Sequence, residues 1–116
     1  MRRPIVTKII FPVTDMAASI DFYERLGFEV VSYDDGYAWV KHAGEELFHL
    51  ALASEMDPLG NHAAGYFHVI GVDEWHRRCA PVGAEVTTVE LKPWGLREFS
   101  LRDPDRNLLR LGEPPD

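Results

Sequence analysis

The stretch Val13-Thr14-Asp15-Met16-Ala17-Ala18-Ser19-Ile20-Asp21-Phe22-Tyr23-Glu24-Arg25-Leu26-Gly27-Phe28-Glu29-Val30 contains a strand end, a helix cap, a helix and the start of a second strand. Asp15 supplies an N-cap oxygen. Behind it, Met16, Ile20 and Tyr23 with Phe22 and Leu26 recur at three- and four-residue intervals and form one apolar stripe. Gly27 can take the left-handed position that ends such a helix. The outline returns later: Val13-Thr14-Asp15 is matched to Val72-Asp73, and Gly27-Phe28-Glu29-Val30 to Gly83-Ala84-Glu85-Val86. An internal duplication follows.

Working outward, a strand is predicted over Ile5–Val13, with Pro12 suiting an edge or a dimer contact. Strands are predicted at Phe28–Tyr33, Tyr37–Lys41 and Leu47–Ala53, separated by turns at Asp34-Asp35-Gly36 and His42-Ala43-Gly44. The aperiodic Asp57-Pro58-Leu59-Gly60-Asn61 reads as a linker. The second half repeats the order: a strand at Tyr66–Val72, a helix capped by Asp73 and cut short at Pro81, and strands near Glu85–Leu91, Glu98–Arg102 and Leu108–Leu111. The expected fold is α+β, in a single domain over residues 1–116, with one βαβββ module at about 1–56 and another at about 62–116. Neither module can bury its apolar surface alone. The two should pair their sheets into a curved mixed sheet with a concave cavity and helices outside.

Composition narrows the function. The chain has 116 residues, 46% of them hydrophobic, which suffices for one core. A formal charge of −7 disfavours nucleic acid and anionic membranes and attracts cations. No apolar run approaches the roughly 20 residues of a membrane span, and Met1-Arg2-Arg3-Pro4 leads toward a strand, so the expected location is cytoplasmic. The lone Cys79 offers neither a disulfide nor a thiolate pair for a metal, and its helical setting predicts burial.

Two segments carry a family signature: Ser19-Ile20-Asp21-Phe22-Tyr23-Glu24-Arg25-Leu26-Gly27-Phe28, and the run from Pro93-Trp94-Gly95 through Asp103-Pro104-Asp105-Arg106-Asn107-Leu108. At this separation the pair resembles the glyoxalase/bleomycin resistance/dioxygenase group, or vicinal oxygen chelate superfamily. Within it, Asp35-Gly36-Tyr37, Glu46-Leu47-Phe48-His49-Leu50, Asp57-Pro58-Leu59 and Trp94-Gly95 are similar to the bleomycin-resistance proteins. That likeness implies a homodimer that binds a cationic glycopeptide antibiotic in clefts between subunits, sequesters it without chemistry and so confers antibiotic resistance. Arg106 stands where the family's turn usually has glycine, so a positive φ is expected there.

Enzymes of the superfamily hold a divalent metal through His, Glu or Gln on strands of both halves. Motif-to-motif alignment puts Lys8, His49, Phe67 and Arg110 at those places. Lysine and arginine offer no lone pair to a cation, so no metal, cofactor or catalytic residue is expected. His68 lies one residue from such a position, and a one-residue slip turns a strand side chain to the other face. A metal-dependent glyoxalase or dioxygenase using His49, His68 and Glu46 or Glu98 is the alternative, and a binding protein for another small aromatic compound is a third reading.

For a flat cationic guest, Tyr37 and Trp39 alternate onto one strand face, Trp94 sits in the Trp-Gly loop, and Asp34 and Asp35 supply carboxylates at the adjoining turn. Trp39 serves either as core or as a stacking surface. His49 is either a ligand contact or a satisfied polar core group, and Phe67 either lines the cavity or fills it. Lys8 and Arg110 would oppose a cationic guest unless they pair with Glu46 or Glu98, and unpaired they would suit an anion.

Overall fold

The computed structural model describes residues 4–116, so Met1, Arg2 and Arg3, read above as leading into a strand, lie outside the described residues. Each half runs strand, helix, then three strands. The first comprises β1 (Ile9–Val13), α1 (Met16–Arg25), β2 (Glu29–Asp34), β3 (Tyr37–His42) and β4 (Glu45–Leu52). After a 3-10 turn at Pro58–Gly60, the second comprises β5 (Ala64–His68), α2 (Val72–Cys79), β6 (Glu90–Leu91), β7 (Arg97–Arg102) and β8 (Leu108–Glu113). The result is two four-stranded mixed sheets, ordered β1-β4-β3-β2 and β5-β8-β7-β6. In each, the leading strand lies at an edge and pairs parallel with the last. Pro12 therefore sits on an edge strand, as its missing N–H requires.

Local chemistry explains α1. Asp15 accepts a hydrogen bond from the Ala18 N–H at 3.1 Å. At the far end Gly27 (φ 101°) lets its own N–H reach Glu24 and the Phe28 N–H reach Tyr23, a Schellman closure. The apolar stripe buries Met16, Phe22 and Tyr23 against β4 and β2. One hydrophobic cluster continues from Phe11, Phe48 and Leu50 in the first half to Val72, Phe99, Leu101 and Leu111 in the second. Trp75 stacks on Phe28 with ring centroids 5.4 Å apart, carrying that contact between halves.

Four expectations need correction. α2 is not capped by Asp73: its N-cap is Gly71 in the left-handed region (φ 80°), and helical geometry begins at Val72. The capping is long-range, because Glu113 on β8 accepts from the Val72 N–H at 3.0 Å while Asp73 turns outward to Arg97 through bonds of 2.8 and 3.0 Å. The duplication thus matches Asp15 to Gly71, and β5 lies two to four residues earlier than Tyr66–Val72. The strand expected over Glu85–Leu91 shrinks to Glu90–Leu91 because Glu85 has a left-handed φ of 49° and the Thr87 hydroxyl takes the Ser100 N–H. β1 begins at Ile9 rather than Ile5, and Ile5 and Val6 lie exposed ahead of it.

The β7–β8 turn ties the halves together. Asp103 is buried. Its Oδ1 accepts from the N–H groups of Asp105 and Asn107, both at 2.9 Å, and its Oδ2 accepts from the Tyr23 hydroxyl at 2.6 Å and the Asn107 amide at 2.8 Å. Asn107 also donates to the Pro12 carbonyl, Asn61 of the linker donates to Asn107, and Thr14 donates to Asp105. Arg106 adopts φ 66°, the positive value its turn position demanded. Burial raises the Asp103 carboxyl above its ordinary range, although Tyr23 and Asn107 pull the other way through hydrogen bonds to the ionised form. The same burial, then the neighbouring carboxylate, pushes the Tyr23 phenol well above its usual value.

Asp103→Ala should cost about 3 kcal/mol in urea denaturation, because it strands the Tyr23 hydroxyl and two backbone donors in the interior. Tyr23→Phe should cost roughly 1–2 kcal/mol at neutral pH. That difference should shrink as pH rises past about 10, the ordinary tyrosine value. There the unfolded wild-type chain has released the Tyr23 proton while the native protein still holds it, so wild-type stability falls and the phenylalanine variant lacks this loss. An unchanged gap between pH 8 and pH 11 would contradict the assignment.

Candidate functional site

Strand alternation gives each sheet one face toward the shared core and one facing away. On the first sheet the outward set follows from pairing: Ile10 beside His49, His49 beside Trp39, and Trp39 beside Val31, with Tyr37 opposite Ala51. A bulge where β3 meets the start of β4 pairs Lys41 with Glu46, so Glu46 joins this face and Leu47 turns toward the interior. His49 touches both Tyr37 and Trp39, with ring centroids 5.2 and 6.3 Å away, and Tyr33 stands edge-on to Trp39 at 5.6 Å. Tyr33, Asp34, Gly36, Tyr37 and Trp39 line a shallow depression. Five expected site residues, Asp34, Asp35, Tyr37, Trp39 and His49, therefore gather on one face or its rim.

Polar groups there are tightly connected. The Tyr37 hydroxyl and His49 Nδ1 are 2.6 Å apart, and His49 Nε2 contacts the Glu46 carboxylate. The hydrogen bond to His49 is the main reason that the Glu46 carboxyl lies below its ordinary range. Lys8 donates to the Glu46 carbonyl oxygen. Asp34 accepts from the Gly36 N–H at 2.8 Å, fixing the turn, while Asp35 is exposed.

The second sheet's outward face was read one residue out of phase. Tyr66 pairs with Arg110 and Phe67 with Leu111, so Tyr66 and His68 face outward with Arg110, whereas Phe67 faces the core and meets Phe48 at 5.4 Å. The alignment that set Phe67 on the open face and His68 behind it is thus reversed. Phe67 instead lines a largely apolar cavity of about 530 Å³ between the halves, with Phe28, Leu47, Trp75 and Ile70 among its walls. The carboxylates and guanidinium groups gather elsewhere.

Arg110 is the centre of that outward face. Its guanidinium lies 5.2 Å from the Tyr66 ring centroid and 5.8 Å from that of Trp94, and it pairs with Glu98 at 3.1 Å. Glu98 is only 2% exposed, so its charge is held from water and compensated by Arg110. The Glu98 carboxylate is also the main reason that the Tyr66 phenol is raised. Trp94 is 54% exposed and donates to the Tyr66 hydroxyl at 3.3 Å. Tyr66 was missed by the sequence reading; correct phasing of β5 from Gly71 would have found it. Of the two cations that complicate a cationic guest, Arg110 is ion-paired with Glu98, whereas Lys8 donates to the backbone carbonyl of Glu46 and stays exposed.

The donor set does not fit a metal centre. The residues side by side on the edge and second strands of the two sheets are Ile10 with His49 and Tyr66 with Arg110. Both His49 nitrogens have partners, and among the described residues no three His, Cys, Asp or Glu side chains converge on a point that could hold an ion. Cys79 is buried, and burial pushes its thiol up to about 11, so it stays protonated and unreactive at neutral pH. Among the described residues no helix is long and apolar enough to cross a membrane.

Comparison with known proteins agrees with this architecture. The chain is 32% identical over 108 residues to a bleomycin resistance protein of Klebsiella pneumoniae, covering 86% of this chain and 85% of that one. It is also 32% identical over 117 residues to a bleomycin resistance protein of Geobacillus stearothermophilus, covering 84% and 88%. The crystal structure of a bleomycin resistance determinant encoded on the transposon Tn5 superposes with a TM-score of 0.85 at 28% identity, covering 96% of this chain and 98% of that one. A bleomycin-binding protein complexed with bleomycin superposes at 0.84 and 28% identity, covering 97% and 100%. The family model described as the Glyoxalase/Bleomycin resistance protein/Dioxygenase superfamily matches residues 5–111, and with the duplicated βαβββ halves this places the chain within that superfamily.

Proposed function

We propose that this protein binds and sequesters a bleomycin-type glycopeptide without transforming it. The observation that carries the reading is the first sheet's open face, where Tyr33, Tyr37 and Trp39 offer ring surfaces beside the carboxylates of Asp34 and Asp35. Flat heteroaromatic groups stack on such rings, and a cationic tail is drawn to the acidic rim. A net charge of −7 adds long-range attraction. Trp94 and Tyr66 form a second aromatic surface whose neighbouring cations Arg110 and Lys92 are paired with Glu98 and Glu90, so it too suits a cationic guest.

The reading includes a homodimer. Within one chain the two aromatic faces belong to separate sheets, and the described residues leave Ile5, Val6, Ile10, Tyr66 and Trp94 exposed. A second copy would cover this apolar surface and let the first-sheet face of one protomer meet the second-sheet face of its partner. The cytoplasm is the location that goes with this reading. Its support is the free, buried Cys79 and the relatives named as bleomycin resistance proteins.

Titration with bleomycin should quench tryptophan fluorescence saturably at micromolar drug, and an unsaturable or absent response sinks the drug assignment. Trp39→Ala should weaken binding about tenfold or more, since truncating an aromatic anchor costs on the order of 1–2 kcal/mol or more. The Asp34→Asn and Asp35→Asn pair should lower affinity a few-fold and flatten its dependence on salt. Asparagine at 34 keeps an acceptor for the Gly36 N–H, so circular dichroism should not change.

A further inference from the structure

We infer that Glu46 and His49 act together on Tyr37, holding its hydroxyl as a hydrogen-bond acceptor toward the guest and so selecting molecules that present an N–H or O–H donor there. The inference rests on the reading that this open face is the binding surface, and it adds a positioning role for two residues beneath the aromatic rings.

The argument is one of counting hydrogens. An ionised carboxylate only accepts, and Glu46 is favoured in that form by its bond to His49 and by Lys8 and Lys41 nearby. His49 Nε2, in contact with that carboxylate, must carry a hydrogen. A neutral imidazole has one ring hydrogen, so Nδ1 is bare. The hydrogen in the 2.6 Å contact between Nδ1 and the Tyr37 oxygen therefore belongs to Tyr37. With that hydrogen committed inward, the phenol turns lone pairs toward the depression that it lines with Asp34. Acceptors then prevail on that part of the rim, matching the N–H donors of an amine or amide guest.

Protonating His49 would reverse the arrangement. Nδ1–H would donate to the Tyr37 oxygen and free the phenolic hydrogen to point outward. The ring is surrounded by groups from several strands. Ile10 on β1 and Trp39 on β3 carry no charge; Tyr37 on β3 is the partner itself. Glu46 on the same strand, Lys8 ahead of β1 and Lys41 opposite Glu46 are the charged groups nearby. Replacing the carboxylate by an amide would also release the lock, because an amide nitrogen can donate to a bare Nε2 and leave the hydrogen on Nδ1.

Long-range nitrogen–proton NMR on ligand-free protein at pH 8, with the His49 signals identified by their loss in His49→Gln, reads the ring directly. A hydrogen on Nε2 and a bare Nδ1 are expected; the opposite tautomer or an averaged pair overturns the inference. Glu46→Gln should shift the ring toward the Nδ1–H form and weaken bleomycin binding about tenfold, on the order of 1.4 kcal/mol. In a Tyr37→Phe background the same substitution should change affinity less than twofold. An equal loss in both backgrounds assigns Glu46 a merely structural role and overturns the selection of donors. If wild-type protein binds no bleomycin, the functional reading fails, whereas the tautomer in the ligand-free protein still decides the relay.

Discussion

The buried Asp103 carboxylate is the constraint on which both halves depend. Four donors converge on it from α1 and the β7–β8 turn, and its neighbours Asn107 and Asp105 reach β1, the strand's exit and the linker. A carboxylate out of water is tolerable only with such a complement of hydrogen bonds. Because the partners come from segments some 80 to 95 residues apart in sequence, satisfying this one group sets how the first module meets the second. The apolar contacts Phe48–Phe67 and Phe28–Trp75 add burial across the same junction. Their attraction is non-directional, so the hydrogen bonds supply the register.

That junction has a functional consequence. With the core faces turned toward each other's helices and side chains, the opposite face of each sheet is left to carry polar and aromatic groups. Duplication then puts related positions to different uses. On the first sheet His49 joins Tyr37 and Glu46 in a hydrogen-bonded chain; on the second Arg110 joins Glu98 between two aromatic rings. Each face leaves ring surface available beside these bonded groups. A positive charge facing the guest would be costly to desolvate and would repel a cation, and Glu98 removes that objection on the second sheet.

The superfamily fold can host metal chemistry, but a fold carries activity only through the side chains placed on it. Here an isoleucine, a doubly hydrogen-bonded histidine, a tyrosine and an arginine occupy the neighbouring outward positions. The isoleucine has no donor atom, the tyrosine phenol is raised and so keeps its proton, the arginine is a cation, and the histidine's nitrogens are already engaged. Recognition through ring stacking, cation–π contact and oriented hydrogen bonds needs no such ion.

From sequence alone came the repeated βαβββ order, the α1 stripe with its Asp15 and Gly27 ends, the positive φ at Arg106, the burial of Cys79 and the aromatic and acidic grouping at 34–39. All of these follow from local steric rules or short periodicities, which a linear chain displays openly. The phase of β5 was different. Asp73 looked like a cap, yet the cap function is discharged by Gly71 and by Glu113 from another strand, and the facing of Phe67, His68 and Tyr66 is set by pairing with β8. Likewise the bulge that brings Glu46 beneath His49 and the pairing of Arg110 with Glu98 exist only once strands are laid side by side. A strand's two faces differ by a single residue, so only the lateral pairing of Tyr66 with Arg110 and of Phe67 with Leu111 decides which side chains reach the open face.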